Sequence, residues 1–217
     1  MRLKFVFAGA AVAVTAIAPV TASAYTVFYD NIGAATNGTD NAASFGPLYD
    51  SFSTGATAPT ITQLDLLLTG ASGDGDTFQV QILTDGGGPG LGTVLYASGH
   101  IGDNVLSATP NDLNLSFAPV VLSASNRYWV ELIGDDGSSV AWAWSFDVSG
   151  TGVANESFAN ANGTHPNNPD GPYQMRVTDE PAVSAAPLPA ALPLFTTGLG
   201  ALGLLGWCRK RKAQAAA

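Results

Sequence analysis

Residues Thr77-Phe78-Gln79-Val80-Gln81-Ile82-Leu83 alternate polar and apolar side chains over their first six positions. Successive side chains of a strand point to opposite faces, so this segment predicts a strand with Phe78, Val80 and Ile82 inward. Ile61 to Leu68 is apolar with a few polar interruptions and predicts a central strand. Arg127–Ile133 and Val140–Phe146 predict two more, joined by the turn-forming run Gly134-Asp135-Asp136-Gly137-Ser138. Weaker patterns mark Val94–Ala97, Asp112–Phe117 and Tyr173–Val177 as strands. Gly70–Gly75, Asp85–Gly92 and His165–Pro172 have the composition of loops. No window between residues 25 and 180 shows a helical period. About seven or eight short strands at this spacing predict an all-β domain, a single β-sandwich of jelly-roll type.

Two further apolar stretches flank this region. Arg2 and Lys4 precede an uncharged apolar run from Phe5 to Val20, and Ala22-Ser23-Ala24 supplies small residues for cleavage. That order is the pattern of a secretory signal peptide over residues 1–24, with Ala22 and Ala24 at the cut and Tyr25 as the first mature residue. No cysteine follows the cut, which excludes an N-terminal lipid anchor. Near the other end no charge occurs between Pro181 and Cys208. A bilayer core takes about 20 helical residues, and residues 190–208 supply nineteen, so a transmembrane helix is expected there. Its four glycines are tolerated in lipid, where a helix lets one segment satisfy its own backbone. Trp207 stands where an interfacial aromatic belongs, and Arg209, Lys210, Arg211 and Lys212 form a basic stop that keeps residues 209–217 in the cytoplasm. Residues 179–189, with their prolines and alanines, read as an extended linker between the membrane and an ectodomain over residues 25–178.

Charge separates these addresses from what they carry. Six of the eight basic residues lie in the terminal segments. Between Tyr25 and Pro187 only Arg127 and Arg176 stand against all seventeen acidic residues, a formal charge of −15, and there is no lysine. Such a surface repels the phosphates of nucleic acids, so nucleic-acid binding is set aside. The single cysteine, Cys208, lies at the membrane boundary, so the exported part has no disulfide and must stand on packing alone.

The tail resembles the bacterial PEP-CTERM sorting signal in its Val-Pro-Leu-Pro-Ala variant. Here the motif reads Ala186-Pro187-Leu188-Pro189-Ala190, followed by the apolar run and the basic end. Ala186 departs from the variant's valine, and Leu188 stands where the common form has glutamate. The resemblance implies an exosortase-type transpeptidase as partner, cleavage near Pro187, Leu188 and Pro189, a transient stay in the inner membrane, and display by a Gram-negative bacterium that makes exopolysaccharide. The middle of the chain is similar to the choice-of-anchor domain R family over roughly residues 26 to 178. The similarity lies in Tyr29-Asp30-Asn31, Ser44-Phe45-Gly46-Pro47-Leu48, Asp50-Ser51-Phe52-Ser53, Arg127-Tyr128-Trp129, Trp142-Ala143-Trp144 and Asp170-Gly171-Pro172-Tyr173-Gln174-Met175. That family implies a surface-anchored ectodomain and carries no established activity.

Residues that could do chemistry are few. His100 and His165 have no second histidine or cysteine at ligand spacing, which argues against zinc or copper. No serine sits in a Gly-x-Ser-x-Gly elbow. A glycan hydrolase would need two carboxylates flanking a cleft, and no acid is marked out for that by its neighbours. Calcium is the cofactor to consider, with Asp74 and Asp76 in one Gly-rich loop and Asp135 and Asp136 in another, although aspartate and glycine also make ordinary turns. Trp142, Trp144 and Phe146 project from one strand face opposite small residues. Such a stripe is either a glycan platform (Trp142 and Trp144) or, as two-sheet packing favours, part of the core. The expectation is a non-enzymatic cell-surface or extracellular-matrix protein. The alternatives are a carbohydrate-binding module, with or without calcium, and a hydrolase with an unmarked acid pair.

Overall fold

The alternation in Thr77–Leu83 places Phe78, Val80 and Ile82 inside, each with no exposed surface. The same rule, applied strand by strand, builds the computed structural model, which describes residues 26–70, 75–168 and 171–179. In chain order the strands are β1 (Val27–Asp30), β2 (Gly38–Asn41), β3 (Leu48–Ser53), β4 (Thr60–Thr69), β5 (Thr77–Thr84), β6 (Val94–Ala97) and β7 (Ile101–Gly102). They continue as β8 (Asn111–Val121), β9 (Arg127–Gly134), β10 (Ala141–Trp144), β11 (Ser157–Asn160), β12 (Gly163–Pro166) and β13 (Met175–Thr178). One helical turn, α1 (Ala42–Phe45), is capped by the Asn41 side chain, which accepts from the Ser44 N–H. A short 3-10 turn covers Asp103–Val105.

The fold is all-β, with two antiparallel sheets. One runs β1-β13-β4-β10-β2, with β8 also on β4; the other runs β12-β11-β3-β9-β5-β6, with β7 also on β5. Both contribute to one core: Tyr29, Leu64, Leu66, Trp142 and Met175 come from the first sheet, and Leu48, Phe52, Val80, Val130 and Leu132 from the second. Burying each large apolar side chain contributes about 1.5–3 kcal/mol, the main source of stability in a chain without disulfides.

Every segment expected as a strand is one, with shifted ends. The number differs: thirteen strands form among the described residues, because short or polar pieces (β1, β2, β3, β7, β11, β12) also pair. The expected loop at His165 begins one strand late, since His165 and Pro166 belong to β12 and pair with β11. The Gly134–Ser138 turn does not close a hairpin. It carries the chain from β9 in one sheet to β10 in the other.

One junction organises the first sheet. β4 pairs with β13 from Gln63 to Leu66, then with β10 at Leu68 and Thr69. Gln174 fills the changeover. Its N–H donates to Ala143 O (2.8 Å), and its carbonyl accepts from the Leu67 N–H (3.0 Å) and from Trp142 Nε1 (2.9 Å). Its side chain, fully buried, donates to Ala34 O (2.8 Å) and accepts from Thr36 Oγ1 (2.7 Å). One residue thereby ties β4, β10 and the loop after β1. A second strap lies at the β1 edge, where the Asp30 N–H donates to Thr151 O at 2.9 Å. The strap requires glycine: a Cβ on Gly150 would overlap the Asp30 carbonyl, and one on Gly152, at φ +73°, would overlap that of Phe28.

Gln174→Ala should cost about 2–4 kcal/mol, because it removes a fully buried amide together with its bonds to Ala34 O and Thr36 Oγ1 and leaves a cavity in its place. Thr36→Val should cost about 1 kcal/mol by removing a single donor. Urea unfolding followed by tryptophan fluorescence measures both.

Candidate functional site

The aromatic stripe divides along its length. Trp142 has no exposed surface and stacks on Tyr173 with ring centroids 4.9 Å apart. It is a core residue, and the reading of Trp142 as half of an exposed platform is corrected by that burial. Trp144 is half-buried, its ring wedged against Gly38 and Gly171; a Cβ on Gly171 would lie 2.9 Å from it. Phe146, two residues on, is 60% exposed and meets Trp144 edge-on at 5.0 Å. The Phe146 N–H donates to Asn37 Oδ1 (2.8 Å), which fixes the backbone beneath the exposed ring.

The acidic loops meet at one end of the second sheet. The Asp103 N–H donates to Asp76 O (3.1 Å), the Asp135 N–H donates to Thr77 O (3.0 Å), and Gly137 packs beside the Asp76 carboxylate. Asp135 is already engaged: it accepts from Thr77 Oγ1 and pairs with His100 Nδ1 at 3.2 Å. The Thr77 hydroxyl bond, first, and His100 hold the Asp135 carboxyl below the usual range. Asp136 lies in the same turn, and Asp74 lies outside the described residues. Among the described residues no three metal-ligating side chains converge.

Sequence reasoning missed the interior acids. Asp50 lies on β3 between Leu48 and Phe52 and is fully buried; Glu156 is 3% exposed. Tyr29 donates its hydroxyl to Asp50 Oδ2 (3.3 Å), and Asn31 Nδ2 donates to Tyr29 (3.4 Å) and to Tyr173 O (3.1 Å). Glu156 accepts from Ser51 Oγ (2.6 Å) and pairs with Arg127 at 3.2 Å. Both acids are buried among packed side chains. Asp50 Oδ1 and Asn168 Oδ1 are buried without a hydrogen-bond partner. Burial pushes the Asp50 carboxyl well above the usual carboxylate range; a Tyr173 backbone bond opposes this and the Glu156 charge adds to it.

A surface cleft of about 320 Å³ opens at the β1 edge, lined by Asp30, Asn31, Gly33, Ala34, Asp147, Ser149, Gly150 and Arg176. Three separate segments converge there, held by the Gln174 bonds and the glycine strap. Arg176 Nε donates to Asp30 Oδ2 at 2.9 Å, and its Nη1 lies 3.8 Å from Asp65. Asp147 is exposed, and its Oδ1 accepts from the Ser149 N–H (2.9 Å); the Ser149 side chain, first, and this backbone bond hold its carboxyl below the usual range. No spacing motif marks these residues; only Tyr29-Asp30-Asn31 lay in a segment singled out beforehand.

The remaining expected sites, namely Ala22, Ala24, Tyr25, Pro187, Leu188, Pro189, Trp207 and Arg209 to Lys212, lie outside the described residues. No described helix is long and apolar enough to cross a membrane. No family model matches the chain, and a search of curated proteins finds no relative.

Asp50 also sets a direction for pH dependence. Its folded pKa is raised, so its contribution is fully present below the unfolded carboxylate value, about 4, and is lost as pH climbs toward the folded value. Asp50→Asn keeps a donor without a charge. It should leave stability near pH 4 little changed and raise it by about 1–3 kcal/mol at pH 8, as measured by thermal melts across that range.

Proposed function

We propose that this chain is an exported, non-enzymatic module of a bacterial cell surface or extracellular matrix. Its body is a β-sandwich of jelly-roll type, delivered by a signal peptide, held briefly in the inner membrane by a C-terminal helix, and processed by an exosortase-type transpeptidase. The observation that carries this reading is the partition of the chain. A proline motif, an apolar span and four consecutive cations follow a body with no lysine and seventeen acids.

The geometry adds support. Both arginines of the body are held in ion pairs, Arg127 with Glu156 and Arg176 with Asp30, so they form no basic patch for nucleic acid. The interior carboxylates are enclosed, which favours a binding or structural role over hydrolysis. Association with exopolysaccharide belongs to the same proposal.

Mass spectrometry of the C-terminus of protein recovered from the cell surface tests it. Loss of everything beyond the Pro187-Leu188-Pro189 region is the expected result. Full-length chains ending at Ala217 would reduce the tail to a plain membrane anchor and sink the sorting proposal.

A further inference from the structure

We propose that the cleft between Asp30, Asp147, Ser149 and Arg176 binds a neutral sugar ring, and that the exposed Phe146, next to Asp147 in the chain, extends the site with an apolar contact. The inference goes beyond the surface-module reading and does not depend on the tail. Sorting can fail and the cleft still bind.

The lining decides the ligand class. An anion would meet the Asp147 carboxylate and a guanidinium already bound to Asp30 at 2.9 Å. A divalent cation would meet Arg176. Hydroxyl groups suit the mixture, because each donates to a carboxylate or accepts from a guanidinium or backbone N–H. The volume of about 320 Å³ is at the small end of ligand pockets, which run from about 300 to 1,000 Å³, and suits one ring.

Pre-organisation is built in. Asp147 sits in a turn closed by its own bond to Ser149, and Gly150 lets the turn press against β1. Phe146, the neighbour of Asp147 in the chain, is braced from behind by Trp144, itself wedged between glycines. Rigid groups lose little entropy on binding. A small subsite binds weakly alone but gains by repetition when many copies face one polymer.

Gly33 supplies a clean block. A Cβ there would meet nothing within 4 Å and the residue has no left-handed φ, so the backbone at this lining position accepts Gly33→Phe, whose ring is expected to obstruct the cleft. The full chain in non-ionic detergent is run on native gels cast with soluble neutral glucan, mannan, galactan or xylan, and on one cast with polygalacturonate. Retardation is expected in at least one neutral gel. Gly33→Phe and Phe146→Ala should each raise the dissociation constant about tenfold or more, and Asp147→Asn by a smaller factor. Phe146→Ala carries the test if Gly33→Phe lowers the thermal midpoint. No retardation in any neutral gel, retardation by polygalacturonate alone, or binding unchanged in both Gly33→Phe and Phe146→Ala would overturn the proposal.

Discussion

The fold depends on how one sheet satisfies its backbone where a strand changes partner. β4 leaves β13 and takes up β10 within two residues, and a gap in the ladder there would strand buried N–H and C=O groups. Gln174 closes the gap with both main-chain groups, and its side chain carries the correction outward to Ala34 and Thr36. The carbonyl that accepts from Leu67 also accepts from the Trp142 indole, so the largest core aromatic is oriented by the same atom. The wall of the cleft, at Gly33 and Ala34, inherits its position from this junction.

A second buried constraint crosses between the sheets. Tyr29 on β1 of the first sheet, its hydroxyl met by Asn31, reaches Asp50 on β3 of the second. A carboxyl placed among Leu48 and Phe52 is costly when charged, so burial pushes its pKa well above the usual carboxylate range. Buried carboxylates bonded in this way orient the core around them. Tyr29, Asn31, Asp50, Tyr173 and Gln174 all come from the segments quoted for the choice-of-anchor resemblance. Those five residues form much of the polar seam of the interior.

Legibility in the sequence followed burial geometry. β5 was plain because each inward position is apolar and each outward one polar until Leu83, which is buried as well. β3 was hidden because its inward row includes Asp50, while Ser51 on the other face is buried under Glu156, so polarity no longer reports direction. β1, β11 and β12 are four residues each, too short for a period to emerge. The Gly134–Ser138 turn was visible as a turn, yet composition says nothing about which sheet receives the next strand. The aromatic stripe was half legible: spacing correctly put Trp142 opposite small residues, but could not show that the strand ends before Phe146 and releases that ring to the surface. The cleft was not legible at all, since residues 30–34, 147–150 and 176 meet only after three crossings of the fold.

Charge links these levels. The body has two cations, and each serves packing: Arg127 pairs with Glu156 and donates to Asn155 O, and Arg176 joins β13 to Asp30 on β1 and approaches Asp65 on β4. Neither is left as a lone positive centre, so the outer surface keeps the negative sign of its many aspartates. Such a surface repels an acidic polymer over about a Debye length, roughly 8–10 Å at physiological salt. The cleft is no exception, since its one arginine is balanced before any ligand arrives. A neutral hydroxylated ring is the ligand that loses least there: it needs no counter-charge, and its hydroxyls can use the acceptor of Asp147 without displacing the Arg176–Asp30 pair.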